Sequence, residues 1–332
     1  MNSMLVNVLN NVTMKSRTLF FPVLLFSLAF ALVSCNKDET NLEGEKGRIT
    51  VKITDAPSDD ASIEGTFITV AAVKIDGKEV EGFSKQTIEI SDLQNGKTHL
   101  LFNGDINAGS YSKLSLVLDM ATDVNGNAPG SYVLDNQAKK HNLNGGSAQS
   151  AEVELNTQIS VSPAEEVSAV IDFDLRKSIA RGNGMHTESN YSLVAGAELK
   201  SAVRLILEEK SGHVKGKVQG AWLTGKNVVV YAYSKGTFNA ATELQAQGSG
   251  EVRFARAVTS SSVEANGDYH LAFLNEGDYE VYLVSFSSDS NGRMQLEGVL
   301  NASSLAGGII LNNISVQSKT SVVVNISISG LI

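Results

Sequence analysis

The chain has 332 residues, 27 of them Lys or Arg and 36 Asp or Glu, giving a formal net charge of −9, with one cysteine and 6% aromatic residues. The acidic balance argues against a nucleic-acid partner, because that affinity comes mostly from Lys and Arg neutralising phosphates, and a lone cysteine excludes a disulfide framework. The five histidines, at 99, 141, 186, 213 and 270, lack His-Glu-x-x-His spacing, and no Gly-x-Ser-x-Gly elbow, phosphate loop or dinucleotide fingerprint occurs, so a non-enzymatic role is expected.

In chain order, the first element is the apolar run LFFPVLLFSLAFAL at 19–32, preceded by Lys15 and Arg17. A membrane-spanning helix needs about twenty apolar residues, so this run reads as an export signal. Its end, Leu32-Val33-Ser34-Cys35, resembles a bacterial lipobox. The resemblance implies that residues 1–35 are a signal peptide, that the Cys35 thiol carries diacylglycerol, and that cleavage leaves it as the lipidated first residue. Each buried methylene contributes about 0.8 kcal/mol, so two or three chains on one residue anchor a protein that does not itself span the bilayer. Met14 begins a complete signal of its own, and the first thirteen residues read as an over-extended start. Asn36-Lys37-Asp38-Glu39 resembles the surface-export signal of Bacteroidetes lipoproteins, implying an outer-membrane location facing the exterior; a plain solvated tether over 36–45, facing the periplasm, is the alternative. Lys15 and Arg17 leave with the signal, so 25 basic and 36 acidic residues remain, a charge of −11.

Beyond the tether, short alternating runs of Val, Ile, Thr and Tyr are cut by Asp76-Gly77, Asn103-Gly104, Asn125-Gly126, Asn266-Gly267 and Asn291-Gly292. Long helical periodicity is missing. The pattern predicts an all-β protein of two sandwich-like domains, 46–207 and 210–332. GRITVKITDAP opens the first as a half-buried strand, with Ile49, Val51 and Ile53 alternating against Thr50, Lys52 and Thr54. Asp76-Gly77 is a two-residue hairpin turn, GSYSKLSLVLD and VSAVIDFDL are further strands, and 136–150 reads as a mobile excursion.

The opening strand ending TDAP, the middle GSYSKLSLVLD, and VIDFDLRKSI followed by YSLVAGAELKSAVRL resemble domain of unknown function 4382, a family of exported bacterial and archaeal lipoproteins. The resemblance implies a β-rich exported domain and supplies no activity. From the residues themselves, Asp55, Asp59 and Asp60 offer oxygen ligands of the kind calcium favours, but the simpler reading is that Asp55 caps its own turn and the others are solvated. Asp172, Asp174 and Arg176 lie on one side of a strand, with Ile171, Phe173 and Leu175 on the other. This row reads as a salt-bridged outer face, although carboxylates two apart on a strand, about 6.5 to 7 Å, also approach the spacing of an inverting glycosidase. Asp123-Val-Asn125-Gly-Asn127 opens like a calcium loop, but no bidentate acid follows, so an Asn-Gly turn is the simpler reading.

After LEEKSG the pattern restarts. HVKGKVQGAWLTGKNVVVYAYS and EANGDYHLAFLNEGDYEVYLVSF resemble, over 212–286, the transthyretin-like or carboxypeptidase-regulatory β-sandwich, a likeness that implies a spacer or binding accessory. Trp222 with the tyrosines at 231, 233, 269, 279 and 282 could form a glycan-stacking face; core or cross-strand packing explains the tyrosines as well. The terminal SVVVNISISGLI either closes its own sandwich or is donated to a neighbour, as in fimbrial assembly. The expectation is therefore a lipid-anchored envelope protein that binds, adheres or builds structure through a glycan or protein ligand, with a fimbria-like subunit or a glycan-binding accessory as the alternatives. No cofactor beyond the Cys35 lipid is expected, with calcium at Asp55, Asp59 and Asp60 as the alternative.

Overall fold

Ile49, Val51 and Ile53 fall on one side of the first strand, β1 (Lys46–Ala56), and are wholly buried, as a period-two pattern demands. The computed structural model describes residues 44–57, 62–143, 148–181, 191–220, 223, 225–288, 294–305 and 309–332. The chain continues with β2 (Ile63–Ile75), β3 (Lys78–Glu79), β4 (Gln86–Glu89), β5 (His99–Asn107), β6 (Gly109–Asp119), β7 (Tyr132–Asp135), β8 (Lys140–Asn142), β9 (Ser150–Val161) and β10 (Glu166–Asp174). One turn of helix, α1 (Leu175–Ser178), follows, then β11 (Ile179–Arg181), β12 (Tyr191–Leu193), α2 (Gly196–Ala202) and β13 (Val203–Leu207).

These strands make two main sheets, ordered β13-β10-β1-β5 and β8-β7-β2-β6-β9, with β3 and β4 also on β2. β1 and β10 run parallel. Parallel neighbours need a long crossover, and here the crossover between them contains the whole second sheet. The core between the sheets includes Ile53, Val73, Leu116, Leu155 and Phe173.

The second module comprises β14 (Ser211–Gln219), β15 (Asn227–Ser234), α3 (Ala240–Glu243), β16 (Thr259–Ser262), β17 (Asp268–Asn275), β18 (Gly277–Ser288), β19 (Met294–Ser304), β20 (Ile314–Val316), β21 (Ser321–Val323) and β22 (Ile326–Leu331). They form one nine-stranded sheet, β16-β15-β18-β19-β22-β14-β17, with β20 on β18 and β21 on β14. β15 is buried on both faces: Val228, Val230 and Ala232 enter one core, Val229, Tyr231 and Tyr233 another. The protein is thus all-β, with strands up to 207 and from 211 in separate sheets.

Asp76-Gly77 forms the expected turn between β2 and β3, both residues at positive φ, and the Asp76 carboxylate accepts from the Ser112 and Lys113 main-chain N–H groups, each at 2.9 Å. Asn103-Gly104 does not turn. It lies inside β5, opposite Thr50 and Ile49 of β1, where the Asn103 side chain donates to Thr50 Oγ1 at 2.5 Å. The segment 136–150 is not simply an excursion, since β8 within it pairs with β7, and Asn291-Gly292 lies outside the described residues. The terminal stretch divides into β21 and β22 because a partner residue intervenes: Asn325 Oδ1 accepts from the Lys217 N–H at 2.9 Å, and only a glycine at 216 leaves room for the Val324 carbonyl. β22 then has partners on both sides, β14 and β19.

Candidate functional site

On β10 the odd residues Val167, Ala169, Ile171 and Phe173 face the first module's core. The even residues face the other way. Here the structure corrects the expectation of an open outer face: Asp172, Asp174 and Arg176 are 3%, 4% and 4% exposed. The reason is that the second module covers this side. Val170 and Ile206 pack there against Ala272 and Phe273, and β10 stops at Asp174, so that Arg176 and Lys177 leave from the one-turn helix α1.

Each cation of this layer divides its bonds between the modules. Arg204, paired with Asp172 across β10 and β13, donates to the Asp172 carboxylate at 2.8 and 2.5 Å and to the Phe273 carbonyl at 3.2 Å. Arg176 donates to Asp174 at 2.6 Å and to the Arg253 carbonyl at 3.2 Å, with its guanidinium 5.1 Å from the Tyr231 ring centre. Lys177 lies 3.1 Å from Asp174 and donates to the Ala257 carbonyl at 2.7 Å. Buried charge is tolerable only when paired and hydrogen-bonded, and a guanidinium has five donors to share out. The carboxylates come from the first module and the carbonyls from the second, so the cluster joins the two.

Asp55 sits at the end of β1 beside this cluster, its Oδ1 accepting from the Leu175 N–H at 3.3 Å. Burial, then the neighbouring carboxylates Asp172 and Asp174, push its carboxyl well above the ordinary range, against the Leu175 N–H and Arg176. Burial also pushes Asp174 up, but Arg176 and Lys177 outweigh it and hold Asp174 below its ordinary value. Asp55 Oδ2 and Asp174 Oδ1 are buried without a hydrogen-bond partner among the described residues. Beside the cluster a cleft of about 240 Å³ opens between the modules, lined by Ile63, Arg181, Tyr191, Glu251, Arg253 and Met294.

A second joint was not foreseen from sequence. Asn95, in the loop before β5, accepts from Ser261 through its side chain at 2.9 Å and donates to Glu264 at 2.9 Å, while its carbonyl faces His270 Nδ1 at 2.9 Å. His270 Nε2 lies 3.1 Å from His213 Nδ1. The two histidines are 57 residues apart and meet because β14 and β17 are adjacent; no local spacing signals them. Elsewhere on the interface, Glu198 of α2 accepts from the Ser249 N–H at 3.0 Å.

Of the residues singled out from sequence, Asp55 belongs to the buried cluster, and Cys35, Asp59, Asp60 and Trp222 lie outside the described residues. Asp123 accepts from the Asn125 and Asn127 N–H groups at 2.9 and 2.8 Å, closing a simple turn. Tyr231, Tyr233, Tyr269 and Tyr279 are core residues, and Tyr282 stacks on Phe238 at 3.8 Å. Among the described residues, no group of three or more His, Cys, Asp or Glu side chains could hold a metal ion, and no helix is long and apolar enough to cross a membrane.

Fold and site define a two-module β protein whose main polar cluster is a joint. Residues 46–194, within the first module, match the family described as domain of unknown function (DUF4382). No curated protein matches the chain. Among solved structures it is similar to a leucine-rich repeat protein from Bacteroides thetaiotaomicron, at 12% identity and TM-score 0.19 over 85% of this chain but only 26% of that one. The major pilin subunit BcpA of Bacillus cereus aligns at 11% identity and TM-score 0.20, over 86% of this chain and 71% of the pilin. A candidate cell adhesion protein from Parabacteroides distasonis aligns at 11% identity and TM-score 0.19, over 85% and 98%. TM-scores this low define no common fold.

Proposed function

We propose that the chain is a lipid-anchored cell-envelope protein, held by diacylglycerol on Cys35 and facing the exterior, that acts as a non-enzymatic binding or adhesion module. One observation carries the non-catalytic part of this reading. A cluster of acids and bases, Asp55, Asp172, Asp174, Arg176, Lys177 and Arg204, is largely buried and shared between two modules, where it fixes geometry. The lipobox at Leu32-Val33-Ser34-Cys35 and the charged run Lys37-Asp38-Glu39 support the anchor and the orientation. Under this reading the first module, next to the Cys35 anchor, holds the second at a set angle away from the membrane. A fimbria-like subunit would have to release β22 from both β14 and β19, which disfavours that alternative.

The test combines labelled palmitate incorporation with protease shaving of intact cells, comparing wild type with Cys35→Ala. Wild type should take up label and be lost on shaving while a periplasmic control survives; the variant should take up none. Label on the variant would refute the anchor, and survival of the wild type would place the protein on the periplasmic face.

A further inference from the structure

The paired histidines at the second joint have a chemistry that the proposed function does not use. Which ring nitrogen carries hydrogen follows from the partners. His270 Nδ1 faces the Asn95 carbonyl oxygen at 2.9 Å, an atom that can only accept, so Nδ1 bears the proton and donates. In a neutral ring Nε2 then holds a lone pair. It accepts from His213 Nδ1–H across 3.1 Å. The result is a directed chain, His213 to His270 to Asn95, that starts in the second module and ends on a loop of the first.

That chain has room for one extra proton and not for two. A first proton can settle on His213 Nε2, outside the bond. A second must go to His270 Nε2, which would set two N–H donors head to head and two imidazolium rings, 5.0 Å apart between centres, against each other. The surroundings do not relieve them. Lys215 of β14 repels both rings. Glu208, after β13, favours a charged His213 but is itself bound to Lys52 at 2.8 Å and to Ser168 at 2.6 Å. Glu264 is engaged by Asn95, and on the remaining side His213 packs against the Phe273 ring at 5.2 Å. The loop has no slack, because Gly96 at φ +78° approaches so closely that any Cβ there would lie 2.7 Å from His270. A groove of about 390 Å³ bordered by Asn95, Lys215, Glu264, Asp268 and His270 gives water access to the His270 side of the pair.

We propose that His213 and His270 form an acid-sensitive latch between the two modules, closed while His270 is neutral and opened when both rings are protonated. Opening separates the 94–97 loop from β17 and weakens this joint, leaving the buried Asp–Arg cluster and the Glu198–Ser249 contact to hold the modules. Burial first, then for His213 the neighbouring His270 ring and Lys215, depress both imidazoles below the ordinary 6.5. An unfolded or opened joint therefore takes up protons that the closed joint excludes. The latch is fully stable above about pH 6.5 and loses stability as pH falls through that value.

Hydrogen exchange on the full chain at pH 7.5 and pH 5.0, corrected for the intrinsic pH dependence of exchange, tests this directly. In wild type, protection of segments 93–98 and 268–272 should fall at least tenfold on acidification, while β15 at 227–234 stays unchanged. In His213→Phe, which keeps the ring packing against Phe273 and removes the paired nitrogen, that selective loss should shrink to under threefold. Equal protection at both pH values in wild type overturns the latch, whatever the variant does; so does a variant that retains the full tenfold response, since the titrating group would then lie elsewhere.

Discussion

Replacing Arg204 by Met tests whether the Asp–Arg layer holds the modules together. The substitution keeps most of the side-chain volume but removes both bonds to Asp172, at 2.8 and 2.5 Å, and the one to the Phe273 carbonyl. Asp172 is 3% exposed, so water cannot replace them. Breaking a buried pair by removing one member costs about 3–5 kcal/mol, and because Arg204 reaches partly into solvent the expected loss is about 3 kcal/mol at pH 7. A stranded carboxylate can escape by taking a proton. At 1.36 kcal/mol per pH unit above an ordinary carboxyl value of about 3.9, that escape costs about 4 kcal/mol at pH 7 but only about 1.5 at pH 5. The penalty relative to wild type should therefore shrink on acidification. Urea titration followed by circular dichroism and by the fluorescence of Trp222, the only tryptophan, measures it. With a slope of about 3 kcal/mol per molar, the midpoint at pH 7 should drop by about 1 M. The double variant Asp172→Leu, Arg204→Met removes the charges together and should return to within about 1 kcal/mol of wild type. A single-variant loss below about 1 kcal/mol at pH 7, or an equal loss at both pH values, would refute the view that this pair is a closed, desolvated joint.

Three further outcomes follow from the same geometry. Asp55→Asn should raise the melting temperature at pH 8 and lose that gain toward pH 4, because Asp55, with its carboxyl held above the ordinary range, must bind a proton or ionise in place, and Asn does neither; a variant that melts lower at pH 8 would contradict it. A fragment of residues 44–194, cut where the family match ends, lacks β13 and bares the edge of β10, so it should aggregate or melt well below the 44–207 fragment, as differential scanning calorimetry of both would show. Deleting residues 320–332 withdraws β22 from between β14 and β19 and should abolish the cooperative transition seen by Trp222 fluorescence, whereas a donated strand would be dispensable to the monomer's fold.

Much of the architecture was legible because it is local. Alternation places Ile49, Val51 and Ile53 inside, and Asp76-Gly77 turns as its chemistry favours. Asn103-Gly104 has the same chemistry, yet it runs straight through β5, because pairing with β1 satisfies its backbone and Asn103 finds Thr50 as a partner. A turn signal expresses a local preference that an available sheet edge can override. The site was legible only by half. Alternation correctly put Asp172 and Asp174 on one face of β10, and correctly suggested salt bridges there. What lies above that face is decided by residues 100 positions later, Phe273 and Ala272, so nothing in VSAVIDFDL distinguishes a solvated row from a buried one. His213 and His270 were invisible for the same reason: their contact is a property of strand adjacency.

The polar character of the joint has a consequence for how the modules depend on one another. An apolar interface could part and expose only hydrocarbon, at a cost roughly proportional to area. Here, parting strips Arg176, Lys177 and Arg204 of main-chain acceptors at Arg253, Ala257 and Phe273, and strips those carbonyls of their donors. Water can satisfy both sides once they are fully apart, but not while the gap is narrower than a water molecule. Intermediate separations are therefore the costly ones, and such an interface favours two states, docked and open, over a continuum of small tilts. The direction of the bonds adds a constraint: fork-shaped donors aimed at fixed carbonyls set the angle between the sheets as well as their contact. A joint of this kind suits a protein that must present one module at a defined orientation to the other, and it makes the neutral histidine pair, which meets the cluster at Phe273, the place where a modest change in charge can shift the balance between docked and open.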